Sequence, residues 1–274
     1  MLRRSFLEMP LAAADAAWKT KRKRAAGRRR RMIYNNDGGD FYLGKNDGTA
    51  EALLANRTTP LVGSQVDSIF YCTGGFNLYT HRSPDTEFWM LYERGEKTLL
   101  PEILARGTDP LSIITGFCRK HSIEVFWTMR MNDTHDSYLP PLLTKWKQER
   151  PHLMMGKKGD TFPHVGTRWS TLDWEQEEVR EKAFRILRDV AEHYDVDGLE
   201  LDFFRHPAYF RPQFTGDPVT QRHCDLMTAF VARVREMADS VGRRKNKPLL
   251  LSVRVPDSVG YARAIGLDLP AWLQ

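Results

Sequence analysis

The feature that most restricts this chain is a regular switching between two hydrophobic periods. Short runs rich in β-branched and aromatic residues occur at Met32-Ile33-Tyr34, Ser68 to Cys72, Glu124 to Met129, Gly198 to Phe203 and Leu249 to Val255, bounded by turn formers or a helix. Between them the apolar period lengthens to that of a helix. Asp109-Pro110 supplies an N-cap and a first-turn proline, after which Leu111, Ile114 and Phe117 share one face. Asp173 and Gln176 carry the spacing of a capping box, and Val179, Ala183, Ile186, Val190 and Tyr194 follow as a stripe. Asp217-Pro218 opens a further helix with the stripe Met227, Phe230, Val234, Met237 and Val241, closed by Gly242.

Strand and helix in alternation imply an α/β fold with a parallel sheet. The choice is between an open doubly wound sheet and a (β/α)8 TIM-type barrel. The segment after the first strand, Asn35-Asn36-Asp37-Gly38-Gly39-Asp40, is acidic and lacks the glycine order of a dinucleotide loop, so no cofactor is indicated. Polar and ionisable residues instead follow nearly every strand, as at the catalytic mouth of a barrel. The expectation is therefore a (β/α)8 TIM-barrel type domain over residues 32–274. Five strands cannot close eight, so the sequence is expected to be a barrel C-terminally truncated after about five strands.

The formal net charge of +6 belongs to one end of the chain. Residues 1–31 hold 11 Lys or Arg against two acids, and the remainder is slightly acidic. This segment reads as a basic tail, disordered or removed as an export signal, because its composition buries too little apolar surface to offset ordering entropy. Arg3-Arg4-Ser5-Phe6-Leu7 resembles a twin-arginine export core, which leaves the protein exported or cytoplasmic. No aromatic RNA-binding signature or zinc-finger spacing accompanies the basic run, so nucleic acid is not expected as a partner. No apolar run reaches the roughly 20 residues of a membrane span. Three scattered cysteines without CxxC spacing read as buried free thiols.

Chemistry concentrates in Asp197-Gly198-Leu199-Glu200-Leu201-Asp202-Phe203-Phe204-Arg205-His206-Pro207. Residues two apart on a strand share a face, so Glu200 and Asp202 point the same way. Asp202 then stands at the carboxyl end of its strand, and Glu200 lies one layer deeper, where it needs a partner to stay charged. Asn35, Asn36 and Asp37 follow the first strand, Asn77 and His81 the second, and Arg130, Asn132, Asp133, His135 and Asp136 the third. Amides and carboxylates for sugar hydroxyls, with aromatic rings for pyranose faces, are what a glycan cleft requires. No HxH or HExxH spacing points to a metal, and no GxSxG elbow to a serine hydrolase.

DGLELDFFRHP resembles the fourth-strand motif of glycoside-hydrolase barrels and is similar to the alpha-amylase pattern DGFRxDxxKH. The resemblance implies that Asp202 is the nucleophile and that Arg205 and His206 contact substrate; Glu200 stands where alpha-amylases carry an arginine. More broadly, IYNNDGGD, VDSIFYCTGG, FWTMRMNDTHD and YDVDGLELDFFRHP resemble bacterial family 10-like glycosyl-hydrolase barrels. The implied function is a glycoside hydrolase acting on a poly- or oligosaccharide, with Asp133 or Asp257 as the second carboxyl or the acid on absent strands. The alternative is a non-catalytic carbohydrate-binding or structural barrel. Oligomeric state is not legible.

Overall fold

The computed structural model describes residues 11–42, 48–89 and 98–273. All five expected strands form, within two residues of their expected bounds: β1 (Met32–Asn36), β2 (Val66–Cys72), β3 (Glu124–Arg130), β4 (Gly198–Asp202) and β5 (Leu250–Arg254). They pair in chain order as one parallel sheet. The architecture is α/β with an open five-stranded sheet. Among the described residues no further strands close it into a barrel. Three two-residue strands after β2 form a small separate ribbon, Gly74–Gly75, Leu78–Tyr79 and Glu87–Phe88.

Strand alternation sorts side chains to two faces. Ile69, Tyr71, Val125, Trp127, Met129, Leu199 and Leu201 face the crossover helices and form the main core with them. The helices are α2 (Pro110–Lys120), α3 (Glu177–His193) and α4 (Gln221–Arg244). Asp109 caps α2 as expected, its carboxylate accepting the Ser112 N–H at 2.9 Å. The next two starts differ from expectation. Asp173 closes a turn on the Glu175 N–H, and α3 begins four residues later. Thr220, not Asp217, caps α4 in a reciprocal box with His223. That helix also runs past Gly242 to Arg244. In both cases a short polar residue satisfies a nearby backbone group before the helix is under way.

The basic segment is a correction to the expected free arm. The twin-arginine-like start lies outside the described residues, but Leu11–Ala26 is a helix, α1. Trp18 is buried against α4 at Gly242, and its ring lies near Arg243. Arg22 pairs with Asp239, and Lys21 donates to the Asn246 carbonyl at 2.7 Å. Beyond the helix, Arg30 makes two bonds to Glu124, 2.6 and 2.7 Å. Glu124 sits on the face of the sheet away from α2, α3 and α4, where it also accepts from Ser68. Charge pairing with partners distant in sequence supplies the order that apolar burial alone does not.

Candidate functional site

The open face of the sheet is built in layers. At its amino end Arg30, Ser68 and Glu124 form the bonded group just described. Above them Phe70 and Phe126 stack with ring centroids 4.4 Å apart, beside Leu250. Gly198 faces Phe126, and a Cβ there would meet the ring at 2.2 Å, so only glycine admits this layer. Next come Thr128 and Glu200, paired across β3 and β4. The Thr128 hydroxyl donates to Glu200 at 2.7 Å, and the Arg254 guanidinium lies 3.5 Å from its other oxygen. Burial pushes the Glu200 carboxyl above its ordinary range, against the pull of these two partners. The deeper, partnered position expected for Glu200 is what the structure contains.

Asp202 occupies the top layer, but not as expected. One carboxylate oxygen accepts the backbone N–H groups of Phe204 and Arg205 at 2.9 and 3.1 Å. The other lies 3.4 Å from Arg254. The residue is only 2% exposed, its carboxylate taken up by the following turn and by Arg254. The reason is local: the chain turns sharply after β4, and the carboxylate closes that turn. Arg205 serves Asp202 through its backbone, and its side chain reaches instead to His135.

The loop after β3 carries the densest chemistry. Arg130 is buried and bridges two carboxylates, Asp133 at 3.0 Å and Asp37 at 2.8 Å. Asp133 also accepts from the backbone and ring of His135, at 3.0 and 2.7 Å. Burial alone would raise the Asp133 pKa. The His135 bond and the charge of Arg130 outweigh it and hold the carboxyl well below the usual range. Gly75 makes room for this group, since a Cβ there would come within 2.7 Å of the Asp133 carboxyl carbon. A cavity of about 180 Å³ opens beside it. Tyr42, Phe76, Trp89, Arg130, Asp133 and His135 are among its lining.

The other expected site residues separate into two groups. Asn35 is exposed at the end of β1 on the open face, and Asp37 is exposed beside Arg130. Asn36 turns to the opposite face, is buried, and accepts the Gly38 N–H. Asn132 is fully buried and clamps Leu172 and Ala208 through their backbones. Asn77 is buried in the small ribbon with φ 68° and donates to Glu87. His81 lies in the core against Trp127 and Tyr194, with Nδ1 2.8 Å from the Thr73 hydroxyl. Asp257 is exposed after β5 and joins no ion pair or hydrogen bond among the described residues. Asn36, Asn77, Asn132 and His81 thus hold backbone and core in place. Arg254 was missed as a site residue; its register opposite Asp202 on the neighbouring strand was the available signal.

Asp133, His135 and His206 bring potential ligand atoms within 4.8 Å of one another. Their bonding opposes a metal. His206 Nδ1 accepts the Thr134 N–H at 3.1 Å, so a neutral ring carries its proton on Nε2 and offers no lone pair there. His135 donates its Nδ1 proton to Asp133, whose second oxygen is held by Arg130. The group is a network of hydrogen-bond donors and acceptors suited to a polar ligand.

The fold belongs to the α/β class seen in TIM-barrel-like glycoside hydrolases. The chain is similar to the α-L-fucosidase isoenzyme 2 of Paenibacillus thiaminolyticus, at TM-score 0.52 and 13% identity, over 82% of this chain and 32% of that one. It is also similar to the maltogenic α-amylase AmyB of Thermotoga neapolitana, at TM-score 0.47 and 16% identity, over 85% of this chain and 47% of that one. The chain therefore spans less than half the length of these enzymes. No family model matches the sequence, and no curated protein matches it. At such identities the likeness concerns fold alone.

Proposed function

We propose that this chain is a glycoside hydrolase domain that takes a poly- or oligosaccharide at the carboxyl end of its sheet. One observation carries the reading. Three carboxylates, Asp133, Glu200 and Asp202, lie at or just below this end, while Tyr138 and Phe204 stand exposed on the loops after β3 and β4, and Tyr261 on the short helix Val259–Ala264 after β5. Exposed rings beside buried carboxylates suit a ligand with apolar faces and polar edges, as a pyranose has. Asp202 is the proposed nucleophile or base. Glu200 is the proposed proton donor, because burial keeps its proton on to higher pH while Asp133 stays ionised.

A second reading, a carbohydrate-binding domain without turnover, is favoured by the engagement of Asp202 in its own turn. Hydrolysis of aryl-glycoside and polysaccharide panels separates the two. On a cleaved substrate, Asp202→Asn should lower turnover by roughly 10²–10⁴-fold with the fold intact. Glycan binding without cleavage of any panel member would establish the second reading.

A further inference from the structure

Two arginines at this mouth are occupied: Arg130 by Asp37 and Asp133, Arg254 by Glu200 and Asp202. Arg168 and Arg205 differ. Among the described residues neither lies within ion-pair distance of a carboxylate, and the contact of the exposed Arg205 side chain is to His135 Nε2 at 3.3 Å. Arg168 lines a cavity together with Pro207, the residue after His206, and its neighbour Trp169 donates to the Ser137 carbonyl beside Tyr138. The rings form a chain: Tyr138 lies 5.7 Å from His135, and His135 lies 5.0 Å from His206. His206 is neutral, because burial lowers its pKa to about 4, and it presents an Nε2–H donor.

We propose that Tyr138, Arg168, Arg205 and His206 form a subsite for a carboxylate-bearing sugar, a uronic acid residue of the glycan. The inference rests on the mouth being a glycan site. The exposed Tyr138 ring offers a stacking surface for the pyranose. A guanidinium matches a carboxylate in shape and charge, and His206 adds a neutral donor. The nearest acids, Asp37 and Asp133, set two negative charges against the three positive ones of Arg130, Arg168 and Arg205, so the group keeps an unbalanced cation. A neutral sugar would leave both arginines without a counter-ion.

The test is titration calorimetry of the full chain with oligogalacturonate, oligomannuronate, an uncharged malto-oligosaccharide and a sulfated galactan oligomer of equal length. At least one uronate should bind about tenfold more tightly than the uncharged oligomer, and the gap should narrow in 0.5 M salt. Arg168→Gln with Arg205→Gln should reduce that preference to about twofold or less. The salt dependence of the unaltered protein decides the matter should the double variant fail to fold. Equal binding of uronate and uncharged oligomers overturns the subsite and leaves the glycan mouth standing. A preference that survives the double substitution also overturns it. Sulfated glycan binding as tightly as uronate overturns the carboxylate assignment. Binding of none of the four overturns the mouth reading as well.

Discussion

On the helix-covered face of the sheet, Ile69, Val125, Trp127, Leu199 and Leu201 are fully buried and apolar. On the opposite face the same strands carry Ser68, Glu124, Thr128, Arg130, Glu200 and Asp202, nearly as buried but ionic or hydrogen-bonding. Both faces are ordered, by different means. The apolar face is stabilised by area removed from water, roughly 25 cal/mol per Å². The ionic face gains little net stability, since desolvation offsets much of the attraction. Its members are instead interdependent, and each protects a neighbour from standing buried and unpaired.

The largest effect should come from the apolar face. Trp127→Ala empties the space beside Tyr79 and His81 and removes one of the two partners of the Thr73 hydroxyl, and should cost about 3–5 kcal/mol in urea denaturation. Arg130→Met should cost about 3 kcal/mol, because it leaves Asp133 buried without its cation. If Arg130→Met proves neutral, the interdependence of the ionic face is refuted. Asp133→Asn combined with it should recover part of the loss, a coupling read from the double-mutant cycle.

A pH series sharpens the contrast further. Burial lowers His81 and His206 to about 4 from 6.5, so between those values the unfolded state binds more protons than the folded state. Stability should therefore fall as pH drops from 6.5 to 4, by up to about 3 kcal/mol for each histidine. His206→Gln should flatten part of that slope in thermal denaturation. Asp133 contributes in the opposite range: its stabilisation is complete above the ordinary carboxyl pKa and is lost only in strong acid. The smallest effect belongs to α1. Arg22→Ala removes one partly exposed pair with Asp239 and should cost at most about 1 kcal/mol, read as faster amide exchange in Leu11–Ala26.

Local periodicity was enough to locate the five strands and the N-cap of α2, because those signals lie within a few residues. It also placed Glu200 beneath Asp202, since a strand repeats every second residue. It could not place α1, whose order depends on Asp239 and Glu124, 217 and 94 residues away from Arg22 and Arg30. It grouped His81 and Asn132 with the mouth because both follow strands. The structure puts one in the core and the other on backbone carbonyls. A polar residue after a strand satisfies backbone as readily as it meets a ligand, and sequence alone does not distinguish the two.

The order of the sheet has a consequence for how the protein behaves in concentrated solution. Among the described residues, the outer N–H and C=O groups of Met32–Asn36 and Leu250–Arg254 face no neighbouring strand. Met32 and Ile33, at one of these rims, are about half exposed. Such rims are templates for adding strands from another molecule. A sample should accordingly show light scattering that rises with concentration, and a lysine at Ile33 should suppress it by making the rim hydrophilic and self-repelling.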